Sequence, residues 1–361
     1  MQRLQVNTFK SFLFLLIIFS FVSCQKKDVE HVENSTAAEI LSYRIAGHTP
    51  QVNISSGSEI INVKFPETVL TGDNLVAEFT LSPGAKALVN NVLQSSGITA
   101  NNFDRVLDYR VVSGTGSTEK TWSVKATNND YSYDWGLGHF VKDQKSNNRA
   151  YEWYFDQGST GVYSSVNCGP CATTASIKWA DPSFNKLPEY ARNFYGINGG
   201  WWFTTDINNY LNDNNIPKAT ISLSNNAEGT WEKIIKQLDQ DRIVILCLDM
   251  HFVPSSLNSQ YRVNKFYGTS PGWGHFLVAK GYKEVDKKRY FETYDSFSNG
   301  VTNTDGTLKG KNRFYDYTHI FNATFNWWNY AIIIAPKGSQ IDPGTLRTAI
   351  NPSLIPAAWG R

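Results

Sequence analysis

Residues 167–175 read Asn167-Cys168-Gly169-Pro170-Cys171-Ala172-Thr173-Thr174-Ala175. A cysteine stands at the head of a run of small residues, with a proline two places on. Pro170 suits the first turn of a helix, where its missing N–H leaves nothing unpaired. Ala172, Ala175, Ser176 and Trp179 recur at helical spacing, so a helix is expected over 171–180, ended by Asp181-Pro182. Unpaired amides at a helix start favour a thiolate, and the small residues let the helix approach a sheet closely. Two chemistries fit this local pattern. Either Cys168 is a nucleophile, or Cys168 and Cys171 form a Cys-Gly-Pro-Cys redox pair.

A nucleophile needs a base and a group to orient that base. His31, His48 and His139 lie upstream, His251 follows a strand in a Pro/Ser loop, and His319 sits in an aromatic segment. His275 differs: in Gly272-Trp273-Gly274-His275-Phe276-Leu277-Val278-Ala279 it opens an apolar strand after two glycines. The next strand ends at Tyr294-Asp295-Ser296. A hairpin turning symmetrically on Val285, within Lys283-Glu284-Val285-Asp286-Lys287, sets His275 and Asp295 opposite one another with Cβ atoms about 5.5 Å apart. Asp295 then holds one ring nitrogen, leaving the other for the thiol proton. A one-residue slip destroys this arrangement.

The surrounding pattern is mixed. Helices are expected at 205–211 and at 230–238, the second capped by Thr230, and strands at 243–248, 276–281, 290–294 and 330–335. Helices first and antiparallel strands afterwards make an α+β domain. Upstream, Ile61, Val63 and Phe65, then Leu75, Ala77, Phe79 and Leu81, Leu107, Tyr109 and Val111, and Trp122, Val124 and Ala126 alternate with polar residues. That is the pattern of a small antiparallel sandwich over 38–127. Residues 128–150, rich in Asn, Asp, Ser and Gly, read as a linker, and 337–361 as a tail.

The 361 residues allow two domains, and 41% hydrophobic residues allow a real core. The formal charge of +2 and the lack of a basic stripe speak against a nucleic-acid partner. At the N-terminus, Arg3 and Lys10 precede an apolar run from Phe12 to Val22, then Ser23-Cys24, the layout of a secretory signal too short for a comfortable membrane span. Ser23-Cys24 resembles a bacterial lipobox, which implies cleavage before Cys24, lipidation of Cys24, and a membrane partner through it. Residues 1–24 are thus a lipoprotein signal and 25–37 a tether. Gln25-Lys26-Lys27-Asp28-Val29-Glu30 is similar to export signals of surface lipoproteins in Gram-negative bacteria, placing the chain on the outer membrane, surface- or periplasm-facing. With Cys24 lipidated, Cys168, Cys171 and Cys247 remain, an odd count that argues against a disulfide framework. Cys247 reads as a small core residue.

Asn-Cys-Gly-Pro before a helix of small residues, Gly-His-Phe-Leu-Val-Ala-Lys-Gly-Tyr 107 residues on, and Tyr-Asp-Ser-Phe-Ser-Asn-Gly with its Asp 20 further resemble the peptidase C39-like branch of the papain-like cysteine peptidases. The resemblance spans 151–336. It implies a papain-like α+β fold, hydrolysis of a protein or peptide substrate, Cys168 as nucleophile, His275 as general base and Asp295 as orienting residue. It further implies an upstream Gln as oxyanion donor: Gln157 in Phe155-Asp156-Gln157-Gly158 first, Gln144 second. The N-terminal stretch resembles the immunoglobulin-like β-sandwich domains that follow the lipobox of many surface lipoproteins.

Other readings stay open. Thioredoxin-like oxidoreductases share Cys-Gly-Pro-Cys, and Ile216-Pro217 falls where that fold keeps a cis-proline, but the stretch before Cys168 is polar and Gly/Ser-rich instead of an apolar strand. A binding protein without turnover would keep the same fold. A Cys168–Cys171 disulfide would disable the nucleophile. Cys168, Cys171 and a His lack a second ligand pair for zinc, so neither metal nor cofactor is expected. Trp201, Trp202 and Trp273 are candidates for a substrate groove.

Overall fold

The structure, a computed structural model, describes residues 34–197 and 199–341. The signal, Cys24 and most of the tether and tail lie outside the described residues. Among the described residues, no helix is long and apolar enough to cross a membrane. The described residues are α+β, with three sheets and short helices.

The first part is all strand: β1 (Ile40–Ile45), β2 (Gln51–Ser55), β3 (Ile60–Lys64), β4 (Leu75–Leu81), β5 (Lys86–Val89), β6 (Val92–Leu93), β7 (Ala100–Asn101), β8 (Leu107–Val112) and β9 (Glu119–Thr127). They form two sheets, in the orders β1-β4-β7 and β2-β3-β9-β8-β5-β6. Alternation places Ile61 and Val63, Leu75 and Ala77, Tyr109 and Val111, and Trp122 and Val124 in one shared core. The expected all-antiparallel pairing is corrected at one place: β3 and β9 run parallel.

Residues 128–150 are more than a connection. They carry α1 (Asp130–Asp134) and β10 (Val141–Ser146), and β10 pairs with the long strand β13 (Gly274–Val285). Phe140 joins the N-terminal core.

The later part holds α2 (Cys168–Ala180), α3 (Pro188–Phe194), α4 (Thr204–Asp213), β11 (Lys218–Ser222), α5 (Ala227–Leu238), β12 (Ile243–Asp249), β14 (Lys288–Asp295), β15 (Arg313–Asp316), α6 (Tyr317–Phe325) and β16 (Tyr330–Ile334). The strands order as β11-β16-β12-β13-β14-β15. Strand β12 is buried throughout because both its faces are covered. Ile243, Ile245 and Cys247 pack with Ala172, Ala175, Ile207 and Leu211 of α2 and α4. Val244, Leu246 and Leu248 pack with Trp231, Ile234, Ile320 and Ala323 of α5 and α6. Full burial of such side chains contributes about 1.5–3 kcal/mol each. The cap of α5 is Asn226, whose Oδ1 accepts from Gly229 N–H at 2.8 Å, and Thr230 lies inside the helix.

The β13–β14 hairpin differs from the symmetric expectation, and the difference matters. Val285 is a buried strand residue paired with Lys288, so the turn is the two residues Asp286-Lys287, with Asp286 at φ 53°. Asp286 accepts from the N–H groups of His139 and Phe140 at 3.0 and 2.9 Å, which anchors the turn. From that turn the pairing runs regularly to Gly281↔Glu292. Continued unbroken, it would set Asp295 opposite Val278 and turn its side chain away from the His275 side. A bulge at Lys280 absorbs one residue, so the pairing resumes at Ala279↔Thr293 and ends at Leu277↔Asp295. Asp295 is therefore two residues along from His275's level and on the same side, a diagonal neighbour within reach of an imidazole ring.

The bulge has its own supports. The Lys280 carbonyl accepts from Asn147 N–H at 2.8 Å, just past the end of β10. The Lys280 ammonium, buried, pairs with Glu292. Gly281 is required because a Cβ there would stand 2.2 Å from the Lys145 carbonyl oxygen. Gly281→Ala is expected to destabilise the protein by about 1–3 kcal/mol, read as a lowered urea midpoint at unchanged slope; a midpoint equal to wild type would show that the β10 contact yields freely.

Candidate active site

Cys168 is the first residue of α2, three positions earlier than the pattern of small residues marked. As the first helical residue, its N–H has no carbonyl one turn back to bond. Gly169 follows because a Cβ there would lie 2.6 Å from Trp202 Cβ, so glycine lets the Trp202 indole close over the helix start. Asn167 gives the helix no side-chain cap. Its amide donates to Thr160 Oγ1 at 2.8 Å, and its Oδ1 accepts from Arg192 Nε at 2.6 Å.

His275 Nε2 lies 2.8 Å from Asp295 Oδ1. That contact leaves Nδ1 for the Cys168 thiol, which lines the same cavity and acts on the His275 side chain. Asp295 is fully buried and fully engaged. Oδ1 also accepts from Phe297 N–H at 3.0 Å, and Oδ2 accepts from the phenols of Tyr267 and Tyr315 at 2.8 and 2.6 Å. Burial alone would push this carboxyl up. The charge and hydrogen bond of His275, with those of Tyr315 and Phe297, outweigh it and bring it down to about 2. For His275, burial disfavours the charged ring, but Asp295 and then Cys168 overcome burial and raise it to about 10. Burial, and then the Asp295 charge, push both phenols well above their ordinary range, so they stay neutral donors.

A cavity of about 170 Å³ opens over these groups, lined by Gln157, Cys168, His275, Trp201, Trp273 and Phe297 among others. Gln157 heads a 3₁₀ turn, Gln157–Ser159, docked by its backbone N–H on the Ser296 carbonyl at 2.7 Å. Ser296 Oγ donates to Gln157 Oε1 at 3.2 Å, so the side-chain amide NH₂ is the end left for the cavity.

No protein-family model matches the chain. No curated protein matches it either. Among solved structures it is similar to a candidate C39-like peptidase from Bacillus anthracis, at 12% identity and a TM-score of 0.34, over 54% of this chain and 98% of that one. It is also similar to a candidate glycoside hydrolase from Bacteroides thetaiotaomicron, at 15% identity and a TM-score of 0.22, over 84% and 90%. Likenesses this remote assign neither activity nor family, and the chemistry has to be read from the site itself.

The structure thus brings Cys168, His275 and Gln157 to one cavity, with Asp295 buried behind His275. It does not bring Gln144, which is exposed on β10 opposite Lys283. Of the three tryptophans, Trp201 and Trp273 line the cavity, whereas Trp202 is core. Cys168, Cys171 and Cys247 are free thiols. Burial, and then the nearby Cys168, push the Cys171 thiol well up, and the same holds for Cys247.

Several supporting residues carry no signal in the sequence. Tyr267 and Tyr315 sit 28 and 20 residues from Asp295 and converge on its carboxylate. Asp249 ends β12 and holds the loop before His275, accepting from Gly272 and Trp273 N–H groups at 3.0 Å each. A lone acid directly after the apolar run 243–248 was the one available hint.

Proposed function

We propose that this chain is a thiol hydrolase of papain-like fold, a cysteine peptidase that cleaves amide bonds through Cys168, His275 and Asp295. The observation that carries the reading is the buried His275, held by Asp295 through Nε2 and sharing one cavity with Cys168. His275 Nδ1 receives the thiol proton, and Cys168 Sγ adds to the substrate carbonyl carbon. The Cys168 N–H and the Gln157 side-chain amide hold the oxyanion. The imidazolium then protonates the departing amine, and water releases the acyl group from the thioester. Lipidation of Cys24 would hold the enzyme to the outer membrane, with the β1–β9 region as an immunoglobulin-like spacer.

The test is to mix the full chain with an unfolded protein or cell-wall peptide, quench in acid and weigh the protein. An acyl adduct mapped to Cys168 is expected. Turnover without any Cys168 adduct, or with an adduct on another residue, would overturn the assignment. Gln157→Ala is expected to lower kcat by about 10²–10³-fold with little change in KM; an unchanged kcat would remove Gln157 from the oxyanion site.

Disulfide exchange is the weaker reading. It requires Cys171 to act as a thiolate, leaving when Cys168 of a Cys168–Cys171 bond is attacked or itself attacking a mixed disulfide on Cys168, and Cys171 is 1% exposed with its thiol pushed well up by burial.

A further inference from the structure

Arg192, on α3, is 2% exposed, and its hydrogen bonds all go to neutral acceptors. Nε donates to Asn167 Oδ1 at 2.6 Å and Nη2 to the Val166 carbonyl at 2.8 Å. Nη1 donates to the carbonyls of Gly200 and Ile197 at 2.8 and 3.2 Å. Taking a cation out of water without bonding it to a counter-ion is costly. A guanidinium is also the hardest side chain to neutralise, so the charge stays. The groups that feel it are Cys168, Asp206, Cys171 and Tyr163. Asp206 already accepts from Phe203 N–H at the start of α4. Cys171 lies inside the helix. Cys168 directly follows the two residues that the guanidinium holds. Around the thiol itself stand His275 from β13, with Asp295 behind it, Cys171 from α2 and Cys247 from β12; Asp156 and Glu189 act on the neighbouring Cys171. Asp295 and His275 offset one another, and Asp206 is the carboxylate that acts on Arg192, without a direct hydrogen bond to the guanidinium.

Resting on the hydrolase reading, we propose that Arg192 is a positioning residue for the nucleophile. Its buried positive charge lies within electrostatic reach of Cys168. Its fork ties the residues just before Cys168 to the segment that leads into Trp201, so the attacking sulfur and one cavity wall are set as a unit. Nη2 and Nε hold the nucleophile side, and Nη1 holds the wall side. A lysine supplies the charge but not the three-way fork.

The experiment is iodoacetamide labelling of Cys168 in the full chain across pH, with the label located by fragment mass spectrometry, in wild type, Arg192→Gln and Arg192→Lys. The acid limb of this profile belongs to the coupled Cys168–His275 pair. Arg192→Gln is expected to move that limb up by about one pH unit, roughly tenfold slower labelling on the limb. Arg192→Lys is expected to keep the limb while turnover of an unfolded-protein substrate falls. A folded Arg192→Gln protein with an unmoved limb overturns the proposal. Should only Arg192→Lys fold, a full-unit displacement in that charged variant overturns it as well. If wild-type Cys168 labels at pH 6 no faster than glutathione, the hydrolase reading falls and this proposal with it; a fast wild type whose limb survives Arg192→Gln rejects the Arg192 role alone.

Discussion

Cys168→Ala is expected to lower the rate of amide hydrolysis by about four to six orders of magnitude, leaving KM close to wild type. The sulfur that forms the covalent intermediate is gone, while the cavity, Gln157 and the His275–Asp295 pair remain to bind substrate. Folding should be little affected, since the change removes one sulfur from a position bordering the cavity. The informative comparison is Cys171→Ala. Cys171 is buried inside α2 and its thiol is pushed well up, so it has no part in attack. That variant is expected to keep turnover within a few-fold and to lose about 1 kcal/mol of stability from the small cavity left behind. Steady-state kinetics on both variants decide the matter. Retained turnover in Cys168→Ala, or its loss only in Cys171→Ala, would reject Cys168 as nucleophile.

The second large effect is on stability. Asp295→Ala is expected to destabilise the folded chain by about 3–5 kcal/mol, because it leaves a buried His275, two buried phenols and the Phe297 N–H without their acceptor. The pH dependence has a defined sign. The Asp295 carboxyl is lowered from 3.8 to about 2, so its contribution is present above 3.8 and is lost as pH falls through 2. His275 is raised from 6.5 to about 10, so its contribution is present below 6.5 and is lost as pH rises through 10. The gap between wild type and Asp295→Ala should therefore be widest between about pH 4 and 6.5 and narrow on both sides. Urea midpoints measured from pH 2 to 10 test this. A gap that is flat across that range would mean the pair is not ionised as described.

Much of this site was legible because cysteine, histidine and aspartate carry chemistry that few spacings can use. The Cys-Gly-Pro run marked a helix start, and the helix is there, with Cys168 as its first residue. The Gly-His run marked a strand opening, and His275 is the second residue of β13. The supports were not legible. Arg192, Tyr267 and Tyr315 reach the site from α3, the loop before β13 and β15, and nothing local to any of them shows what it will meet. β10 was missed for a related reason. Its polar text, Lys142-Asp143-Gln144-Lys145-Ser146, is mostly exposed, and it is a strand only because β13 offers an edge to pair with.

By itself the sequence determined the residue types of the site, the α+β order and the alternation of β1–β9, since these rest on periodicity and local turn chemistry. It did not determine whether Cys168 and its downstream partners meet. Side chains in a strand alternate with a period of two, so one residue of register decides which side of the hairpin Asp295 occupies. That residue is absorbed by the bulge at Lys280, which depends on Asn147 at the end of β10, Glu292 on β14 and the close approach of Lys145 to Gly281. The stretch around Cys168 proposed the chemistry. Tertiary pairing across more than a hundred residues set His275 and Asp295 where that chemistry can use them.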